Sequence, residues 1–419
     1  MNSRFFLFVF SFTLLSAFLS GCKTNIDPTP QREEVGASGL IVIEKGKIPF
    51  QLDDNVQVEV FPDFMFSVEN TKDAILLISF EDLVLGEEFE IRIHNQKEEF
   101  VFNMIVRKPC LTYLAEVTTS PEIWQLCGKE FKVLTQTSGR IVDYAVAKNG
   151  DWIVYSNRND EGGTDIWKVS RNGENHEFLL SCGEKVCEQL AINSQGSKIA
   201  YKSSGVEESL YILAIENSES ILVEKGNVSN IDFSPNDNLL RYFENSKGFI
   251  RVLDLTDLKL IKTLESDSDL IGSWKKDSSG FMFGQHNYWG GIAGINLLET
   301  NLLEDIESLI INGNDTSAYL YQPTYLNDEE LFVLYKMGFN ANRKQIWVIN
   351  RNGEKIFELT SEYQYSHSMI SWNSVEEKLI FQRFDHASSG STPEVWVWDK
   401  KENIFQIIEK NAAHAEWVF

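Results

Sequence analysis

Basic residues are scarce in this chain. Lys and Arg together number 38 against 62 Asp and Glu, a net charge of −24. That balance argues against binding nucleic acid or anionic lipid, since both need a basic face. Cysteine is sparse, with five in 419 residues, and no Cys-x-x-Cys spacing occurs. Hydrolase signatures are missing too, both the Gly-x-Ser-x-Gly elbow and His-Glu-x-x-His. No α/β domain follows the repeats described below, so a prolyl-peptidase arrangement would have nowhere to place its triad. After residue 21 no run is long and apolar enough to cross a bilayer. What is present is a hydrophobic share of 43%, enough for real cores, in a length that allows two or three domains.

The chain opens with Arg4, an apolar stretch from Phe5 to Phe18, and Leu19-Ser-Gly-Cys22. This reads as a secretory signal over 1–21, too short and too lightly flanked for a spanning helix. Its ending resembles the bacterial lipobox, which implies lipidation of Cys22 and anchoring to a membrane through the lipid alone. An ordinary signal peptide with a chance cysteine is the alternative. Residues 22–37 are polar and Pro-containing and read as a flexible tether. The expected location is extracytoplasmic.

The four remaining cysteines, Cys110, Cys127, Cys182 and Cys187, suggest disulfides in an exported body, and four allow three pairings. If Leu111–Leu114 and Ile123–Leu126 form a hairpin, Cys110 and Cys127 face each other across it. Cys182 and Cys187 share one short loop. A metal site is the rival, but no histidine is adjacent in sequence.

Residues 38–107 carry alternating strand-like runs at 40–43, 56–61, 74–79, 89–93 and 99–106, a small β-sandwich. Leu83-Val-Leu-Gly-Glu-Glu-Phe-Glu-Ile-Arg-Ile93 is similar to a corner of bacterial Ig-like domains, with Leu85 and Phe89 in place of the usual proline and tyrosine. Such domains serve as spacers.

Beyond 108 a unit recurs. Asp165-Ile-Trp-Lys-Val-Ser-Arg-Asn-Gly-Glu174 returns as Gln345-Ile-Trp-Val-Ile-Asn-Arg-Asn-Gly-Glu354, with weaker echoes at 122–126 and 394–398. Each unit has four strands, a to d. In the second they are Ile141–Val146, Trp152–Tyr155, Asp165–Val169 and His176–Leu180. The a–b turns recur about every 45 residues, the period of a propeller blade. The first unit lacks strand a, and Ala413–Phe419 fits that pattern. The spacing predicts an all-β, seven-bladed propeller over 108–419, closed by the C-terminal strand, or six blades if the degenerate fifth unit is an insertion. Phrases such as Ala145-Val-Ala-Lys-Asn-Gly-Asp-Trp-Ile-Val-Tyr-Ser156 resemble the repeats of TolB-type β-propellers. The resemblance implies the fold and not an activity, because the motif residues are structural.

Candidate chemistry is thin. Trp124, Trp167, Trp347 and Trp396 occupy equivalent places in strand c and are expected to pack between blades rather than to stack ligands. The loop 157–165 is rich in oxygen ligands but lacks the full EF-hand spacing and reads as a plain b–c loop. No catalytic residue, metal or cofactor is expected. The b–c and d–a loops, which emerge on one face, are long and aromatic. They hold His286, Tyr288 and Trp289 in 285–291, Tyr363, Tyr365 and His367 in 361–367, and His386 in 385–392. Loops on a rigid scaffold collect binding residues, and three histidines there would let affinity change between about pH 5 and 8. The expected function is non-catalytic binding of a protein or glycan at the cell envelope. The alternatives are a propeller enzyme acting on polysaccharide or peptide, and a structural part of an envelope complex. Clustered carboxylates and histidine at the ring centre with shifted pKa values would favour the enzyme.

Overall fold

The computed structural model describes residues 33–36, 40–44, 48, 57–61, 66–70, 74–79, 88–94 and 99–418, except 148–149, 268–269, 290–291, 313–318, 337–342 and 386–389. The signal segment, Cys22, Gly86 and His386 lie outside the described residues. The described chain is all-β, and no helix long and apolar enough to cross a membrane occurs in it.

Two sheets form the N-terminal part. One orders Glu33–Gly36, Glu99–Arg107, Glu88–His94 and Gln57–Phe61, and the other Leu40–Glu44, Ala74–Ser79 and Phe66–Asn70. Alternation explains the core. Phe89, Ile91 and Ile93 turn inward to Phe102, Met104, Ile43 and Leu77, while Glu90 and Arg92 between them stay partly exposed. Two of these strands differ from the sequence expectation. Residues 33–36, assigned to the tether, pair in parallel with Met104–Arg107. Their single apolar side chain carries no pattern, so the pairing rests on the backbone groups of a free sheet edge. Phe66–Asn70 is the other. The sandwich is clamped to the rest of the chain: Val375 packs on its core, Arg107 donates to Asp151 at 2.6 Å, and Arg171 donates to the Lys108 carbonyl at 2.6 Å.

The remaining strands form seven four-stranded antiparallel sheets, six of them contiguous in sequence. In the other, Ala412–Val418 joins Cys110–Ala115, Glu122–Cys127 and Glu130–Val133 as the inner strand. An apolar cluster fills the space between each sheet and the next, including the seventh and the first. The ring is therefore closed, and the fold is a β-propeller. Trp124, Trp167, Trp347 and Trp396 each pack on one of these clusters between sheets.

All seven inner strands break register with their neighbours at one place, for example between Glu188 and Ala191 or Ser368 and Ser371. At five of the breaks a residue other than glycine has positive φ: Gln189, Asn230, Gln322, Met369 and His414. These are β-bulges, which re-aim side chains, and each inner strand carries one.

Two loop assignments change. Residues 285–289 belong to a ten-residue strand, Gly280–Trp289, paired with Ile292–Asn301 up to Trp289 opposite Ile292. Tyr288 and Trp289 favour a strand by residue type. Likewise Tyr365 and His367 lie in the strand Tyr365–Asn373, not in a d–a loop. Their ladder partners are Asp385 and Arg383.

Candidate ligand-binding site

The bulges face a cavity of about 750 Å³ on the ring axis. Its wall comes from the inner strands of six sheets, between the bulges and the a–b turns: Asp143, Gln189, Asn230, Asp232, Trp274, Trp372, His414 and Trp417 are among its residues. A second space of about 1080 Å³ shares Ser273, Trp274, Lys276, Met369, Ser371, Trp372 and Ser374 with it, and reaches the a–b turns of the fifth and sixth sheets.

Two charged groups of residues are built into this wall. In the first, His414 of the closing strand stands between two carboxylates, with Nδ1 3.6 Å from Asp143 and Nε2 3.3 Å from Glu416. Asp143 also accepts from the amides of Tyr144 at 2.9 Å and Leu190 at 2.8 Å. Burial raises the Asp143 pKa above the usual carboxylate value. Burial works to lower that of His414, but the hydrogen bond to Glu416 and the two negative charges outweigh it, and the net shift is upward. Tyr144, fully buried, places its hydroxyl against the Thr112 carbonyl at 3.1 Å and against the His414 carbonyl.

In the second, the buried Arg241 donates to the Gly272 carbonyl at 3.0 Å and to Asp232 at 3.2 Å, under the rings of Trp274 and Phe281. Burial pulls its pKa down to about 10, against the pull of Asp232, which still leaves it charged at neutral pH.

The residues expected at a binding face lie toward the opposite end of the inner strands. Tyr363 is 47% exposed and donates to Glu358 at 3.0 Å. Tyr365 is half-buried and stacks under Arg383, whose other face covers Trp396. His286 bonds to Asp267. The backbone of Tyr288 and Trp289 is described, and their side chains are not. His367 differs from expectation: it is 2% exposed, holds the Lys344 carbonyl at 3.0 Å, and burial lowers its pKa to about 4. It is a neutral packing residue and does not titrate between pH 5 and 8.

In the oxygen-rich loop, Asn159 takes up several of the polar groups. Its carbonyl accepts from Glu161 and Gly163, and its amide donates to Asp165 and Gly183. Both cysteine pairs are disulfides, Cys110–Cys127 and Cys182–Cys187.

None of the candidate binding residues read from the sequence lines the cavity. Its aromatic residues, Trp274, Trp372 and Trp417, each lie at or next to the end of an inner strand of a different sheet.

The fold and the axial cavity thus define a β-propeller with a small sandwich attached. No family profile matches the chain, and no curated protein matches it in sequence. Among solved structures it is similar to the β-propeller domain of the Trilobed protease from Pyrococcus furiosus. Identity there is 13% and the TM-score 0.50, over 65% of this chain and 85% of that one. A prolyl endopeptidase matches at 8% identity and TM-score 0.50, over 84% of this chain and 50% of that one. TolB from Acinetobacter baumannii matches at 11% identity and TM-score 0.41, over 71% and 78%.

Proposed function

We propose that the chain is an exported, lipid-anchored lipoprotein whose seven-bladed propeller binds a protein or glycan at the cell envelope without catalysis. The observation that carries this is the axial cavity of about 750 Å³, within the size range of ligand pockets, with aromatic and polar side chains converging on it from six sheets. Two disulfides support an oxidising compartment. The two-sheet domain of 38–107, read as Ig-like, is clamped at the a–b side of the ring. That arrangement supports presenting the opposite end, with Tyr363 and the long hairpin of Gly280–Asn301, to a partner. The test is a pull-down from the cell envelope with the full chain in mild detergent, coupled to mass analysis of its N-terminus. A reproducible partner and a lipidated Cys22 are expected. Release of the chain alone, with an unmodified N-terminus, overturns the proposal.

A carboxylate–imidazole cluster at the ring centre was named above as the mark of an enzyme, and Asp143, His414 and Glu416 answer to it. Both imidazole nitrogens face carboxylates, however, so neither is left to take a substrate proton. The cluster is better suited to tie the closing strand to its neighbour. Turnover of an envelope polysaccharide or peptide that disappears in His414→Gln would reverse this preference.

A further inference from the structure

We infer that the axial cavity is a saccharide-binding site, a step that rests on the binding function proposed above and names its ligand class. Three observations lead there.

First, the acidic groups and the histidine on the wall are answered by protein neighbours. Asp232 meets Arg241 at 3.2 Å, and His414 stands between Asp143 and Glu416. A cationic peptide would find its counter-charges already committed, whereas a neutral ligand has no such competition.

Second, the wall alternates indole surface with short polar groups. Trp274, Trp372 and Trp417 stand beside Ser273, Ser371 and Asn230. A sugar ring has the matching character: apolar C–H faces that lie on aromatic rings, and an equatorial set of hydroxyls that both donate and accept.

Third, the site is preformed. Residues other than glycine held at positive φ around the axis, Gln189, Asn230, Gln322, Met369 and His414, cost conformational energy that the surrounding ladder must sustain. Such a wall loses little freedom when a ligand enters, which favours binding of a small, flexible polyol.

The experiment is to probe the full chain against an array of short oligosaccharides and to titrate the strongest binder while following tryptophan fluorescence. Saturable binding is expected, weakened about tenfold or more by Trp372→Ala. Since Trp372 also packs on the core, Asn230→Gly serves as the second variant. Asn230 is exposed, and glycine accepts its φ of 50° without strain, so the fold is kept and only the amide is lost. Binding should again weaken severalfold. A blank array overturns the saccharide assignment, as does binding that both variants leave unchanged. If the array is blank while the pull-down captures a protein partner, the saccharide assignment fails and the binding function stands. If both fail, the function proposed above fails with it.

Discussion

Tyr144→Phe isolates the closure of the ring. The ring of Tyr144 is fully buried, so its packing survives the change. What is lost is one hydroxyl, placed between the Thr112 carbonyl of one strand and the His414 carbonyl of the strand that closes on it. Losing the donor leaves buried carbonyl oxygens short of a partner, at about 1–3 kcal/mol. At 1.4 kcal/mol per factor of ten, the closing strand should open about 5 to 150 times more often. Native-state hydrogen exchange measures that opening segment by segment. Amides of 412–418 and 110–115 should exchange faster by this factor, while those of 198–214 in the third sheet keep the wild-type rate. The reasoning is refuted if 412–418 exchanges at the wild-type rate, or if all sheets accelerate together.

Deleting 413–419 removes the whole inner strand and uncovers two sheet edges, so aggregation or loss of a cooperative melt is expected; a truncated chain that melts like the full one sinks the closure. His414 and Asp143 both carry raised pKa values, and a raised pKa gives stability that is complete below the unfolded value and lost as pH climbs through the folded one. For His414 that loss begins above about 6.5, the ordinary imidazole value, and for Asp143 above about 3.9, the ordinary carboxylate value, so thermal stability should fall as pH rises, and His414→Gln should flatten the part of the slope above about 6.5. Reducing Cys110–Cys127, separated by 17 residues, should cost about 3 kcal/mol in the chain-entropy model, read as a lower melting temperature; free thiols in non-reducing peptide maps would contradict both bridges. His367 should titrate near pH 4 by NMR, and a midpoint near 6.5 would show that it is not buried as described.

Much of the architecture was legible because it is written in local pattern. The strands of the second sheet, 141–146, 152–158, 164–170 and 176–181, sit within a few residues of where alternation and the Gly-bearing turns put them. The pairing of Cys182 with Cys187 needed only their proximity. Where the pattern was weak, the expectation failed. In Gln285–Trp289 the glycines that follow suggested a loop, yet the segment continues a strand because its partner Ile292–Asn296 is equally β-prone. His367 was read as a surface switch because a lone histidine among serines and tyrosines carries no mark of burial. Its ladder partner Arg383 and the edge of Phe381 enclose it only in the folded sheet.

The sequence alone determined the repeat and its period, the acidic balance, the disulfide partners and the strand that closes the ring. Each of these depends on residue type and spacing over short or regular intervals. The cavity, its bulges and the Asp143–His414–Glu416 cluster were decided by tertiary structure. Residues 143, 189, 230, 274, 372 and 414 are scattered over some 270 positions and share no motif. They meet only because seven inner strands converge on one axis, and a bulge in each strand, stabilised by its neighbours rather than by its own side chain, turns them toward it.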